Sequence, residues 1–149
     1  MELNWKCTAF NELSVAELYA IMQLRNEVFV VEQNCVYQDA DDKDFKSWHL
    51  TGWDGAQLAA YCRILPPGIS YPDASIGRVV TSPLYRKTGK GRTLMLKAIV
   101  RTLSQFNCSN ITISAQFYLT DFYKSIGFTA FDEMYLEDNI PHIKMQYTV

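Results

Sequence analysis

The chain has 149 residues, 48% hydrophobic and 20% charged, a balance that suits one folded domain over 1–149 and excludes a disordered or fibrous protein. A net charge of −2 excludes the global basic field that draws proteins onto a phosphate backbone, so nucleic acid is not an expected partner. The first residues form neither a signal peptide nor a lipidation motif and no apolar run is long enough to span a membrane, which leads to the expectation of a cytoplasmic protein.

In chain order, residues 5–10 read as a strand. Ser14 with Glu17 is a capping box that starts a helix, along which Leu18, Ile21, Met22, Arg25, Val28 and Phe29 recur at helical spacing. Cysteines at 7, 35, 62 and 108 have no C-x-x-C spacing and no close histidine, so reduced thiols and no metal site are expected. Residues 38–44, Gln-Asp-Ala-Asp-Asp-Lys-Asp, read as an irregular acidic segment, either a solvated face or a lure for a cationic ligand.

Residues 48–53 and 57–65 read as strands joined at Asp54-Gly55, and Pro66-Pro67-Gly68 ends the second. A strand over 76–81 precedes a basic, glycine-punctuated loop and a helix whose apolar face is Leu94, Met95, Ala98, Ile99 and Leu103. A short strand over 111–115, a short helix over 119–126 ended by Gly127, and strands over 128–135 and 142–148 complete the chain. The order β-α-β-β-β-α-β-α-β-β gives one α/β (α+β) layer fold with a mixed sheet.

The loop "SPLYRKTGKGRTLM", residues 82–95, invites a chemical question. Two glycines let a backbone come close to a ligand, and a helix N-terminus offers amide groups to anions; Arg86, Lys87, Lys90 and Arg92 add local positive charge. A phosphorylated small ligand and an ordinary solvated turn both fit that loop alone. A Walker A loop is excluded because Lys90 is followed by Gly91 and Leu84 stands where the first glycine belongs. A dinucleotide fingerprint is excluded because Leu94 stands at its third glycine.

The R-x-x-G-x-G spacing of Arg86, Gly89 and Gly91, together with "DFYKSIGF" at 121–128, resembles the GNAT family of N-acetyltransferases. "LRNEVFVVEQNCVYQDADDKD", "RILPPG", "IGRVV", the Ala115-Gln116 pair and "EDNIPH" extend the resemblance to the ElaA-like branch over nearly the whole chain. Lys87 and Thr88 depart from the small residues usual in the loop, and Asn139 stands where glycine is expected; asparagine tolerates the left-handed geometry such a turn needs.

The resemblance implies a sheet of about seven strands flanked by about four helices, with the strands over 76–81 and 111–115 splayed around the pantetheine arm of acetyl-CoA. It implies coenzyme contacts from Val79, Val80, Thr81, Arg86, Lys87, Thr88, Gly89, Lys90, Gly91, Arg92, Gln116 and Tyr123. The Val79 N–H becomes the oxyanion donor and Tyr123 the partner of the departing sulfur. His49 and His142, the only histidines, are alternative bases, and Glu32, Glu137 and Asp138 are carboxylates that could hold a cationic acceptor or relay its proton. Arg25 either pairs with one of them or snorkels to solvent.

The implied activity is acetyl transfer from acetyl-CoA to a primary amine of a small molecule or peptide, by direct attack in a ternary complex without a metal. The competing readings are a non-catalytic acyl-CoA sensor or interaction module on the same fold, and an RNA-directed acetyltransferase, which the charge disfavours. Edge strands at the C-terminal end could pair in a homodimer.

Overall fold

The computed structural model describes residues 2–149; Met1, the first residue of the stretch read for a leader, lies outside them. Strand β1 (Asn4–Ala9) leads through a 3-10 turn to Ser14, whose hydroxyl accepts from the Glu17 N–H while the Glu17 carboxylate accepts from the Ser14 N–H. That reciprocal cap starts α1 (Val15–Arg25). The helix does not end at Arg25 but continues as a π-helical segment, Asn26–Glu32. Its buried face is Ile21, Leu24, Arg25, Val28 and Phe29, so the expected stripe runs across the change in helical pitch.

Strands β2 (Trp48–Asp54) and β3 (Gln57–Leu65) form a hairpin across Gly55-Ala56, with Gly55 at φ +60°. Strand β4 (Ser75–Thr81), α2 (Lys90–Phe106), β5 (Asn110–Gln116), α3 (Thr120–Ser125), β6 (Thr129–Glu137) and β7 (Ile140–Thr148) follow. The β6–β7 turn places Asp138 and Asn139 at φ +51° and +63°, the two positive values of a type I′ hairpin. Asparagine does there what glycine was expected to do.

The element order is the expected one, with seven strands and three α-helices; the π segment continues α1 rather than adding a fourth. The strands hydrogen-bond as two antiparallel sheets, β1-β2-β3-β4 and β5-β7-β6. Between them β4 and β5 run parallel and touch at their starts, where Thr112 N–H donates to the Ala74 carbonyl at 3.0 Å. Beyond that bridge they diverge.

Two apolar layers cover the larger sheet. Leu94, Met95, Ala98 and Ile99 of α2 pack with Ala60, Cys62, Ile64 and Ile76 on one face; Ile21, Leu24, Val28 and Phe29 pack with Leu58, Tyr61 and Val80 on the other. Strand β3 is therefore buried from Leu58 to Leu65, which explains its nearly unbroken apolar sequence. Among the described residues, no helix is long and apolar enough to cross a membrane.

Gly127 ends α3 at φ +109°, and a Cβ there would lie 2.8 Å from the Tyr147 ring. Both backbone geometry and space exclude a larger residue. Gly127→Ala should cost about 2–4 kcal/mol and lower the melting temperature by roughly 5–10 °C in a calorimetric scan; an unchanged melting temperature would refute the packing at this turn.

Candidate active site

The divergence of β4 and β5 opens a cleft of about 800 Å³. Residues 79–81 of β4 and Ile113, Ser114 and Gln116 of β5 line its two sides. The β3–β4 register pairs Tyr61 with Val80 and Arg63 with Gly77, so Arg78 and Val79 together oppose Cys62. This is a β-bulge, made by Arg78 at φ +49°. A bulge leaves one residue out of the ladder and re-aims its backbone, and Val79 beside it lines the cleft. Gln116 lines the same wall and shares a long, 3.4 Å side-chain hydrogen bond with Gln33 across the opening.

At one end of the cleft stands the glycine loop. Gly89, at φ +79°, is the N-cap of α2, and no side chain caps that helix. That terminus presents the positive end of the helix dipole. Lys87 adopts φ +63°, the geometry a glycine would take more readily. Thr88 Oγ1 donates to the Tyr85 carbonyl. Of the expected coenzyme residues in this loop, Arg86 and Gly91 line the cleft, while Arg92 is turned toward α3 and donates to Ser125 Oγ at 3.1 Å.

Arg86 is not idle: its Nη1 and Nη2 donate to Glu32 at 2.8 and 2.6 Å. The π segment brings Glu32 to this position. Hydrogen bonds from Arg86 hold the Glu32 carboxyl below the usual range, which makes Glu32 a poorer base than the sequence suggested. It is the counter-charge of the loop arginine instead.

Tyr123 lies in the cleft wall, 5% exposed, with its ring edge-on to Phe122 and Phe128. Burial pushes its phenol above the usual value, so it remains a proton-bearing donor at neutral pH. His142, on β7, also lines the cleft. Its Nδ1 lies 2.7 Å from the Ile140 carbonyl. A carbonyl only accepts, so Nδ1 carries a proton; Nε2 stands 3.6 Å from Glu137 Oε2. Ser114, hydrogen-bonded to the Tyr135 hydroxyl and 3.3 Å from Glu137, completes this polar group. Asp138 lines the same cleft, and its carbonyl accepts from Cys35 Sγ.

His49 does not reach the cleft. It is 1% exposed, with Nδ1 2.7 Å from the Tyr61 hydroxyl and Nε2 3.0 Å from the Asp44 carbonyl. Burial lowers its pKa. With both nitrogens engaged and no approach for an amine, it is a structural histidine and not one of the alternative bases.

The acidic segment likewise changes role. Arg25, wholly buried, donates to Asp39 Oδ2 and Asp44 Oδ1 at 2.6 Å each. Arg63 grips both oxygens of Asp41 at 2.7 Å and reaches Asp44 at 3.0 Å. Arg78 Nε lies 2.8 Å from Asp39 Oδ1 as an ion pair without hydrogen-bond alignment, and its Nη2 donates to the Asp39 carbonyl at 3.0 Å. Three guanidiniums thus neutralise Asp39, Asp41 and Asp44, and these three aspartates are neither a solvated face nor a lure for cations, while Asp42 stays exposed. Arg25 pairs with these aspartates rather than with Glu32, Glu137 or Asp138. The sequence signal overlooked was Arg63 and Arg78, single charges inside the apolar strands "AAYCRIL" and "SIGRVV", which require buried partners.

A cleft between splayed parallel strands, a β-bulge at its edge and an uncapped helix N-terminus behind a glycine loop together define a coenzyme-dependent group-transfer fold. A family model for the acetyltransferase (GNAT) domain matches residues 15–149. The chain belongs to the GNAT family and is an acyltransferase. Escherichia coli ElaA is 41% identical over 96% of this chain and 95% of its own length, and its crystal structure superposes with a TM-score of 0.91 over 97% of this chain and 99% of that one. An acyl-CoA N-acyltransferase from Pseudomonas aeruginosa is 42% identical, with a TM-score of 0.93 over 98% of this chain and 99% of that one. An aminoglycoside 6'-N-acetyltransferase complexed with coenzyme A, 14% identical, shares the fold alone at a TM-score of 0.72 over 96% of each chain.

The ion-pair lattice makes the fold acid-sensitive. Burial raises the Asp41 and Asp44 pKa values, but their arginine partners outweigh it and hold both below the ordinary 3.8; burial holds His49 below 6.5. In each case the unfolded chain binds protons more readily than the folded one, so stability falls as pH drops. Unfolding titrations should show loss beginning below 6.5 for His49 and steepening below 3.8 for the aspartates. Asp44→Asn, which leaves buried guanidinium charge short of a partner, should cost about 3–5 kcal/mol in denaturant melts and flatten the lower part of that pH dependence.

Proposed function

We propose that residues 1–149 act as one N-acetyltransferase domain that moves an acetyl group from acetyl-CoA to a primary amine of a small molecule or peptide, by direct attack within a ternary complex. The observation that carries this reading is the convergence on one cleft of the bulged Val79 backbone, the buried Tyr123 hydroxyl and the oriented His142 imidazole. The residues present suit the coenzyme: the α2 N-terminus, without a side-chain cap, suits the pyrophosphate, Gly91 lines the cleft, and the diverged edges of β4 and β5 leave backbone groups for an extended chain. The coenzyme complex of the distant aminoglycoside N-acetyltransferase lends the same fold-level support.

When bound, acetyl-CoA supplies an activated thioester. His142 Nε2 takes the proton that the acceptor ammonium must lose, and Glu137 stabilises the resulting imidazolium. The amine nitrogen then bonds to the acetyl carbon while the Val79 N–H stabilises the charge that develops on the carbonyl oxygen. As the carbon–sulfur bond breaks, Tyr123 donates a hydrogen bond to the sulfur. Its raised pKa favours that hydrogen bond over full proton transfer, and the thiol's proton comes from the amine by way of the cleft.

Arg86 changes partners in this scheme, from Glu32 to phosphate. An exposed pair contributes about 0–1 kcal/mol, so Glu32→Gln should tighten acetyl-CoA binding by up to about fivefold, read by isothermal titration; weaker binding would place Glu32 on the coenzyme's side. Tyr123→Phe should lower kcat by about tenfold or more with acetyl-CoA affinity unchanged, and His142→Gln should lower kcat/KM by about tenfold or more. Acetyl-CoA binding without turnover of any amine would return the reading to a non-catalytic sensor, and unaltered kinetics in both variants would remove these residues from the chemistry.

A further inference from the structure

One cation that lines the cleft has no ion-pair partner among the described residues. Lys43 stands on the segment held by the lattice, half-buried, and lines the cleft. Its Nζ donates to Ser70 Oγ at 3.0 Å, and among the described residues no carboxylate lies in ion-pair contact with it. Arg63 and Arg78, which line the same wall, are neutralised by Asp39, Asp41 and Asp44. The charges of Arg63 and Arg78 are thus matched within the lattice, and Lys43 adds one positive charge beside them.

This charge stands apart from the coenzyme's phosphate site, where the α2 N-terminus and Arg86 already serve. Ser70 leads directly to Tyr71, which lines the cleft and interacts with Ser114, Tyr135 and Glu137. The Lys144 ammonium lies 6.0 Å from the centre of the Tyr71 ring and adds to the positive field on that side. The polar floor of the acceptor end thus runs from an ammonium and a hydroxyl at Lys43 and Ser70, past Tyr71, to the carboxylate and imidazole of Glu137 and His142. A half-buried ammonium held by a single hydroxyl keeps donors free for an anionic ligand. One ammonium and one hydroxyl match a monoanion with two oxygens.

We propose that Lys43, with Ser70, is a specificity-determining residue that receives a carboxylate of the acceptor, so that the acceptor is an amino carboxylate, carrying amine and carboxylate on one molecule. The inference rests on the acetyltransferase reading for its amine end: the nitrogen lies toward His142 and Glu137, bonds to the acetyl carbon and releases its proton to His142 Nε2, while the carboxylate is untouched.

The test compares matched acceptors that differ by the carboxylate: glycine with methylamine, β-alanine with ethylamine, and lysine with cadaverine, with aminomethylphosphonate as the dianionic arm. Wild-type kcat/KM should favour the amino carboxylates by about tenfold or more. Lys43→Gln should raise KM for them by a similar factor while leaving KM for acetyl-CoA and for the plain amines within about twofold, and Lys43→Arg should restore part of the loss. Preference for plain amines or for the phosphonate, or an equal effect of Lys43→Gln on both members of a pair, overturns the proposal. Calorimetric binding of the N-acetylated products to the protein with coenzyme A separates the two readings. Tighter, Lys43-dependent binding of N-acetylglycine over N-methylacetamide, without turnover of any amine, would sink the catalytic reading and keep this one; equal binding would sink this one.

Discussion

The lattice of Arg25, Arg63 and Arg78 with Asp39, Asp41 and Asp44 ties together parts of the chain that would otherwise have no reason to meet. Arg25 comes from the end of α1, Arg63 from near the end of β3 and Arg78 from the bulge in β4, while the three aspartates belong to one short segment that ends in a 3-10 turn. No hydrogen-bonded strand or helix could hold residues 38–42 in place, because they form neither. Buried ion pairs are weak contributors to net stability but costly to break singly, so their effect here is to fix one arrangement. Holding Arg78 at φ +49° fixes the bulge, and Val79, next to it, lines the cleft. The same lattice carries Lys43 to the cleft wall.

A second constraint is the incomplete joining of the two sheets. Full pairing of β4 with β5 would give a continuous seven-stranded sheet and no site. Pairing stops after the bridge at Ala74 and Ile111, and from there the edges separate with their backbone groups turned to the opening. The core does not suffer, because α2 packs across β3, β4 and β5 with Leu94, Met95 and Ala98 buried beneath the split. The cleft is a gap in hydrogen bonding laid over an unbroken apolar layer.

Much of this could be read from sequence because it depends on local signals. The capping box at Ser14, the hairpin glycine at 55, the helical face from Leu94 and the glycine stop at 127 each act within a few residues, and element order followed from them. The loop glycines and the "DFYKSIGF" stretch carried the family. What stayed hidden depends on meetings across the chain. Nothing near His49 announces that Tyr61 and the Asp44 carbonyl occupy both its nitrogens, and nothing near Glu32 names Arg86 as its partner. The aspartate-rich segment misled because composition reports charge and is silent about neutralisation. Arg78 is the sharpest case: a left-handed arginine has no signature in its own neighbourhood, since the strain is repaid by carboxylates more than thirty residues earlier in the chain.

The π-helical segment after α1 makes the number of residues there as significant as their kinds. Each residue turns an α-helix by about 100°, and a π segment arises when a helix accommodates extra chain without breaking. Between Arg25, fixed in the lattice, and Glu32, fixed on Arg86, the chain must cover a set angle. A copy short by one residue would keep its composition, its apolar stripe and its helical propensity. It would nevertheless swing Glu32 and Gln33 about a quarter-turn from the mouth of the cleft. In this stretch the site is specified by counting, and a comparison that scores residue types alone would pass over the change that matters most.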